Sequence, residues 1–342
     1  MKAARIHGYN EPLLVEQIEI PVIKDPDGVL VKISGSGFCH SDLRIIIGER
    51  KAPFDFPYVM GHENSGIVCD VGPNASGLRK GDSVLVYGAW GCRNCNICLS
   101  GEEQLCDNPT WPGVSQRYQG GFAEYLYVPS QKYLIRVDEK DPTILAPLTD
   151  AALTAYRATK KSKQIRPAAS QSMVIGVGGL GVYAVQFLKL LTKSTVIALD
   201  AVEQKLKLAE ELGADHARLA QSANYGEIMR LTGGRGVDTV LDFVSNKSTV
   251  DLSLKVLGKQ GTYIAVGLGG GSLDLATASF IRSELTVTGS RWGSYEELKE
   301  VYQLYREGKL RVLSQKRNLE EINDVVEEMK RAQIPGRVVL VP

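Results

Sequence analysis

Short runs of alternating hydrophobic and polar residues fill roughly the first 130 positions, and Gly, Pro and Asn separate them. A period of two places successive side chains on opposite faces of a strand. The clearest predicted strands are 13–18, 29–33, 67–71, 83–87 and 122–128. Several short strands at this spacing predict a compact, barrel-like β domain.

The pattern changes near Pro142, where apolar residues begin to recur with a helical period. Residues 143–157 predict a helix whose broad apolar face holds Leu145, Leu148, Ala152, Leu153 and Tyr156. Strand and helix patterns then alternate. The predicted strands are 173–175, 195–199, 237–241 and 261–266, and the predicted helices are 180–191, 203–212, 225–231 and 247–257. This alternation indicates a parallel sheet with right-handed crossovers and helices on both faces. After position 290, helices at 295–307 and 319–331 precede a last strand at 337–341.

Length and charge narrow the class of protein. A chain of 342 residues favours two domains, and 44% hydrophobic residues exclude a purely disordered chain. A net charge of +1 provides no general attraction to nucleic acids or anionic membranes, so we expect neither as a partner. No signal-like or membrane-spanning apolar run is found, and we expect a cytoplasmic protein.

All six cysteines lie between Cys39 and Cys106, a clustering that indicates metal chemistry in a reducing compartment. Four of them, Cys92, Cys95, Cys98 and Cys106, have the spacing of a closed, structural zinc site with four thiolate ligands. Four buried free thiols are one alternative. A nucleic-acid zinc ribbon is another, but the acidic residues Glu102, Glu103 and Asp107 around this lobe argue against it.

A glycine motif follows a predicted strand and opens a helix, as a dinucleotide-binding turn requires. The motif comprises Gly176, Gly178, Gly179, Leu180 and Gly181. Asp200 ends the next strand, where a carboxylate accepts hydrogen bonds from ribose hydroxyls and repels a 2′-phosphate, so NAD is favoured over NADP. A tight turn without ligand, and an Asp200 that caps the following helix, are the alternatives.

Two further segments carry metal-ligand side chains, Cys39-His40-Ser41-Asp42 and Gly61-His62-Glu63, both on backbone that we expect to be turn-like. A catalytic zinc needs three protein ligands and an open position. Spacing alone does not identify the third ligand. Cys69 lies in an alternating strand and is expected to be a small core residue.

In their order and separation, these motifs and Arg337 resemble the zinc-containing medium-chain alcohol dehydrogenases over essentially the whole chain. The resemblance is to the NAD-dependent branch that acts on secondary alcohols and a broad range of others. It implies a GroES-like β-barrel catalytic domain, 1–150 with 290–342, and a Rossmann NAD-binding domain with a doubly wound parallel sheet, 151–289. It also implies two zinc ions per chain, one catalytic and one structural.

The resemblance also implies roles for individual residues. Cys39, His62 and Asp150 would hold the catalytic zinc, Glu63 would lie near it, and Asp42 would orient His62. Ser41 would start the proton relay.

Arg44 stands where family members often have the histidine that ends this relay, so His40 becomes the candidate for that role. The resemblance implies that His40 and Arg337 would contact the cofactor pyrophosphate and that Thr154 would pack against the nicotinamide. Candidate pocket walls are Leu43, Trp90, Trp111 and Trp292, each of which has ordinary packing as the alternative.

The implied reaction is reversible hydride transfer between an alcohol and NAD. A polyol or sugar dehydrogenase would share this architecture, whereas a zinc-free quinone reductase would lack the ligands, and a non-catalytic NAD-binding protein need not keep them. The resemblance also implies a homo-oligomer, a dimer or tetramer, and a sheet edge near 285–289 is able to pair with a second subunit.

Overall fold

The computed structural model describes all residues from Met1 to Pro342. Its strands, β1 to β16 in chain order, are Lys2–Ile6, Leu14–Gln17, Val29–Phe38, Tyr58–Val59, Glu63–Val71, Ser83–Val86, Tyr125–Val128, Leu134–Val137, Gln171–Ile175, Thr195–Asp200, His216–Leu219, Val237–Asp242, Leu257–Ala265, Thr286–Gly289, Ser314–Asn318 and Arg337–Val341.

The α-helices, α1 to α10, are His40–Ile46, Asn96–Leu99, Ala151–Ile165, Gly181–Leu191, Glu203–Glu211, Tyr225–Leu231, Lys247–Val256, Thr277–Ser283, Tyr295–Arg306 and Ile322–Lys330. Short 3-10 helices are formed by Glu103–Leu105, Gln131–Tyr133, Thr143–Thr149 and Leu319–Glu321. None of the helices combines the length and the apolarity that a membrane crossing requires.

The chain divides into two compact units. The inserted unit is Thr154–Trp292, and the split unit joins Met1–Leu153 to Gly293–Pro342. The inserted unit has one sheet, the split unit has a seven-stranded sheet and a three-stranded sheet in the order β2-β1-β4, and each unit has its own apolar core.

The inserted unit contains a parallel six-stranded sheet in the order β11-β10-β9-β12-β13-β14. The central strands β9, β10 and β12 are buried almost without alternation, as expected for parallel strands covered on both faces. Their apolar residues, among them Met173, Ile197 and Val240, form the core. The Rossmann-type fold predicted from the alternating pattern is confirmed.

The split unit is built on a seven-stranded sheet in which β15-β16-β3-β5-β6-β8 are neighbours in that order and β7 pairs with β3. All pairings but β15 with β16 are antiparallel. The C-terminal strand β16 lies beside β3, with Val338 opposite Phe38. This pairing brings together residues that are almost 300 positions apart in sequence.

Two predicted elements differ from the structure. The helix predicted for 143–157 is a 3-10 helix followed by α3, because Pro147 cannot donate an i−4 hydrogen bond and Asp150 leaves helical geometry at φ −139°. Residues 39–42 do not form a turn but begin α1, where the Asp42 side chain accepts a hydrogen bond from the Cys39 amide.

Candidate active site

Three segments of the split unit carry the candidate ligands of the catalytic metal. Cys39 lies between β3 and α1, His62 directly precedes β5, which begins at Glu63, and Asp150 separates the 3-10 helix from α3. Gly61 has φ +99°, and a Cβ there would lie 2.6 Å from Phe122 Cδ1, so only glycine fits the turn that presents His62.

The side chains of Cys39, His62, Glu63 and Asp150 are buried and converge. Their ligand atoms all lie within 4.8 Å of one another. Asp150 Oδ2 is 3.6 Å from His62 Nε2 and 3.7 Å from Cys39 Sγ. A tetrahedral zinc ion with bonds of ~2.0–2.3 Å separates its ligand atoms by about 3.3–3.8 Å, so the three groups fit such an ion.

Asp42 and Ser41 flank His62 from α1. Asp42 is fully buried, and its Oδ1 lies 3.2 Å from His62 Nδ1, which leaves Nε2 on the side of Cys39 and Asp150. Ser41 Oγ lies 3.4 Å from His62 Nε2. The carboxylate therefore orients the imidazole, and a hydroxyl stands next to the ligand cluster.

Arg337 of β16 is buried beside the same cluster. It donates a hydrogen bond of 2.7 Å to Glu63 Oε1, and its Nη2 lies 3.6 Å from Cys39 Sγ and 3.8 Å from Asp150 Oδ2. Our sequence-based role for Arg337, contact with the cofactor pyrophosphate, remains a prediction. Its proximity to the metal ligands was not predicted. The signal that could have indicated it is charge balance, because a buried thiolate with two carboxylates needs a cation.

The pKa values of the cluster are strongly perturbed. Burial opposes ionisation of Cys39, but the charge of Arg337 together with the hydrogen bond and charge of His62 outweighs it, so the pKa of the thiol is lowered. Burial also opposes protonation of His62, yet the charge of Asp42 and a hydrogen bond to Asp150 raise its pKa well above 6.5. Burial raises the pKa of Glu63 well above its ordinary value against the charge of Arg337. The raised pKa favours a protonated imidazole, so a metal ion that binds His62 would compete with a proton.

The four remaining clustered cysteines form a second site. The Sγ atoms of Cys92, Cys95, Cys98 and Cys106 lie within 4.8 Å of one another. Cys92 Sγ and Cys98 Sγ are 4.0 Å apart, near the roughly 3.8 Å that a tetrahedral Zn–S site requires. Backbone amides of Cys92 and Asn108 donate to Cys106 Sγ. Gly91 leaves the necessary room, since a Cβ there would lie 2.5 Å from Cys98 Sγ.

The glycine turn of the inserted unit has the shape that a pyrophosphate requires. Gly176 has φ +84°, and a Cβ on Gly181 would lie 2.0 Å from Gly176 O, so both positions exclude side chains. A Cβ on Gly178 would meet nothing within 4 Å, which is the open space that a ligand would fill. Gly179 and Leu180 complete the turn, and Leu180 directly precedes α4.

Asp200 lies at the end of β10 and is almost buried. Its carboxylate accepts hydrogen bonds from Val177 N at 2.8 Å and Val202 N at 2.9 Å. The alternative role as a helix cap is not realised, because α5 begins at Glu203 after Val202. Asp200 instead links the glycine turn to the end of β10.

The other predicted site residues lie in varied environments. His40 is exposed at the start of α1, and Arg44 lies on the same helix with its Nε 3.5 Å from Glu49. Thr154 is buried in α3. The four candidate pocket walls are all buried. Leu43 belongs to the apolar core, and Trp90 stacks on Tyr133. Trp111 is 6% exposed and Trp292 is 8% exposed. Cys69, expected in the core, is only half-buried.

A β unit with two metal-ligand clusters and a parallel-sheet unit with a glycine turn, on one chain, are typical of zinc-containing dehydrogenases. Residues 25–139 match the alcohol dehydrogenase GroES-like domain, and residues 179–307 match the zinc-binding dehydrogenase domain. The chain belongs to the zinc-containing medium-chain alcohol dehydrogenase family, which confirms the resemblance found in the sequence.

Individual relatives support the same assignment. An NAD-dependent alcohol dehydrogenase of Sulfolobus acidocaldarius is 34% identical over 99% of both chains. A D-arabinose 1-dehydrogenase (NADP+) of Saccharolobus solfataricus is also 34% identical, over 100% of this chain and 97% of its own. The crystal structure of an alcohol dehydrogenase from Aeropyrum pernix superposes with a TM-score of 0.93 at 42% identity, covering 100% of both chains.

Proposed function

We propose that the protein is a zinc-dependent dehydrogenase that interconverts a primary or secondary alcohol and its aldehyde or ketone with NAD as hydride acceptor. The convergence of Cys39, His62 and Asp150 next to the Ser41 hydroxyl supports this proposal. Bound there, zinc would supply Lewis-acid polarisation of the substrate oxygen, and NAD would accept the hydride.

The residues of the chain would position the substrate and move its proton. Ser41 Oγ accepts the proton of the substrate hydroxyl and passes its own proton onward. His40 is exposed one residue earlier, so it is the candidate to release this proton to solvent, because Arg44 cannot act as a base at neutral pH. Asp42 holds His62, and Arg337 holds Glu63 beside the ligands.

The four-cysteine cluster would hold the structural zinc, because four thiolates close a tetrahedral site and leave no open position. NAD is favoured over NADP because Asp200 is a carboxylate at the position that faces the ribose hydroxyls in dinucleotide-binding turns. The six free cysteines further favour a reducing, cytoplasmic location.

A sugar dehydrogenase is the second candidate, because the D-arabinose 1-dehydrogenase relative is as similar to this chain as the alcohol dehydrogenase relative is. That relative is named for NADP, whereas Asp200 of this chain argues for NAD.

The test is NADH or NADPH formation with primary, secondary and cyclic alcohols and D-arabinose, before and after removal and restoration of zinc. We expect zinc-dependent turnover of a simple secondary alcohol with NAD. Ser41→Ala should slow turnover by roughly 10²–10⁴-fold, whereas the matched variant Ser41→Thr keeps a hydroxyl and most of the activity. Unchanged turnover in Ser41→Ala would remove Ser41 from the mechanism, and turnover of D-arabinose alone would favour the second candidate.

We also propose that the protein is a homo-oligomer, a dimer or tetramer. Strand β14 is the outer strand of the parallel sheet and pairs only with β13, and Leu268, Leu273 and Ile281 of the same unit expose more than half of their surface. Sedimentation velocity at micromolar concentration measures the assembly, and a monomer at all concentrations would contradict the proposal.

A further inference from the structure

A cavity lies in the split unit beside the four-cysteine cluster, and none of its lining residues belongs to either metal-ligand set. Its volume is about 330 Å³, which lies in the range of small-molecule sites. Its lining comprises Tyr87, Arg93, Glu103, Lys132, Tyr133 and Tyr295.

The tyrosines of this cavity offer ring surface rather than free hydroxyl protons. Tyr87 donates to Gly293 O at 2.8 Å, Tyr133 to Gly91 O at 2.8 Å and Tyr295 to Leu134 O at 2.9 Å. Because each phenolic proton already has a protein acceptor, the rings form a rigid, largely apolar wall. Specific polar recognition must come from the three charged residues.

The three charged residues are not neutralised by one another. The Glu103 side chain makes no hydrogen bond or ion pair within the protein, and its Oε2 is buried without a partner. Arg93 stacks its guanidinium 4.2 Å above the Tyr133 ring and donates to Ser130 Oγ, and it forms no ion pair with a carboxylate. Lys132 is exposed and forms no ion pair either.

Backbone geometry keeps these charges at the cavity. Arg93 has φ +62°, an uncommon conformation for a residue other than glycine, and lies between Cys92 and Cys95. The stem of Glu103 packs on Gly91, where a Cβ would lie 3.1 Å from Glu103 Cβ. Glu103 is thereby placed next to the backbone that accepts the Tyr133 hydroxyl.

An unpaired carboxylate without protein donors is costly at a partly buried site, and a ligand that brings a donor removes that cost. Arg93 and Lys132, the two cations that line the cavity, would pair with an anionic group of the ligand. The tyrosine rings favour an apolar or aromatic group attached beside the two charged groups. A ligand with all three features is a zwitterion.

We propose that this cavity is a second small-molecule site, separate from the catalytic metal centre, that binds a free amino acid with an aromatic or aliphatic side chain. The ammonium group pairs with Glu103, the carboxylate with Arg93 and Lys132, and the side chain packs against the tyrosine rings. This site does not depend on the proposed dehydrogenase reaction.

Calorimetric titration of the zinc-loaded full-length protein with three probes tests the site: L-phenylalanine, 2-phenylethylamine and 3-phenylpropionate. The two truncated probes each lack one charge, and we expect them to bind roughly 10-fold more weakly than L-phenylalanine. Glu103→Gln should reduce affinity for L-phenylalanine and for the amine but not for 3-phenylpropionate. A saturating alcohol should not displace L-phenylalanine.

Lys132→Met provides a second test at an exposed position that should not disturb the cysteine lobe, and Lys140→Met, exposed elsewhere in the same unit, is its matched control. We expect Lys132→Met to weaken binding of L-phenylalanine and 3-phenylpropionate, and the control to leave both unchanged. Zinc content measured for every variant shows whether the lobe is intact. No binding of L-phenylalanine, equal affinity for all three probes, or displacement by the alcohol would overturn the proposal.

Discussion

Replacing Arg337 by Met would remove a buried guanidinium and keep a side chain of similar length. Its Nη2 lies 2.7 Å from Glu63 Oε1, so at an effective dielectric constant of 20 their attraction is about 6 kcal/mol when Glu63 is ionised. Desolvation of the buried Arg337 offsets part of this, and losing one partner of a buried pair costs about 3–5 kcal/mol. For a domain of 150–250 residues this corresponds to a fall in Tm of about 6–20 °C.

The size of this effect should depend on pH and on metal. Burial already raises the pKa of Glu63, and loss of the opposing charge of Arg337 would raise it further. The folded variant then binds more protons than the unfolded chain, so its stability falls as the pH rises. We expect the difference in Tm from wild type to be larger at pH 8 than at pH 5.5, and smaller when zinc is bound.

Differential scanning calorimetry of the metal-free and zinc-loaded protein measures these differences. Arg136→Met removes an exposed arginine from the same unit and serves as the matched control, with no expected change beyond about 2 °C. If metal-free Arg337→Met melts within that margin of wild type at pH 8, the electrostatic account of this residue is wrong.

Three further predictions concern the metal ligands and the proton path. Because the pKa of His62 is raised, zinc must compete with a proton, and the apparent zinc affinity of the catalytic site should rise with pH above 6.5. A competition titration with a chromogenic chelator measures this affinity, and an affinity that does not depend on pH would contradict the prediction. Cys98→Ser should lose the structural zinc and lower Tm, whereas Cys69→Ser, outside both clusters, should keep a full zinc content in elemental analysis. His40→Gln should slow alcohol oxidation roughly 10-fold at neutral pH and regain rate in imidazole buffer; a variant with wild-type rate and pH profile would place the end of the relay elsewhere.

Much of the parallel-sheet unit could be predicted from sequence because its strands are continuous apolar runs that a local window detects. The predicted helix 225–231 has the same bounds as α6, and in the split unit the last predicted strand, 337–341, coincides with β16. Elements without a buried face were missed, because a local window detects only apolar patterns. Helix α8 buries no residue, and β15 consists of Ser, Gln, Lys, Arg and Asn, so neither has an apolar periodicity.

The candidate catalytic site was only partly accessible to sequence reasoning. Cys39 and His62 lie in short motifs whose residue types mark them as ligands. Asp150 lies more than 100 positions further along than Cys39, and spacing alone did not identify it, because the 3-10 helix that positions it packs against β3 and β5 through long-range contacts. The resemblance, not the spacing, singled it out. Arg337 shows the same limit more strongly, since only the pairing of β16 with β3 brings it to Cys39.

The charges of the site explain why the C-terminal strand must contribute to it. With Cys39, Glu63 and Asp150 ionised, the buried cluster carries three negative charges, and Arg337 contributes one positive charge. A divalent zinc ion would supply two more, so zinc and Arg337 together would balance these three ligand charges, and the buried Asp42 carboxylate beside His62 adds a further negative charge. Without the metal, the raised pKa values of His62 and Glu63 show protons taking its place. The pairing of β16 with β3 therefore brings a buried cation to the candidate metal ligands as well as completing the sheet.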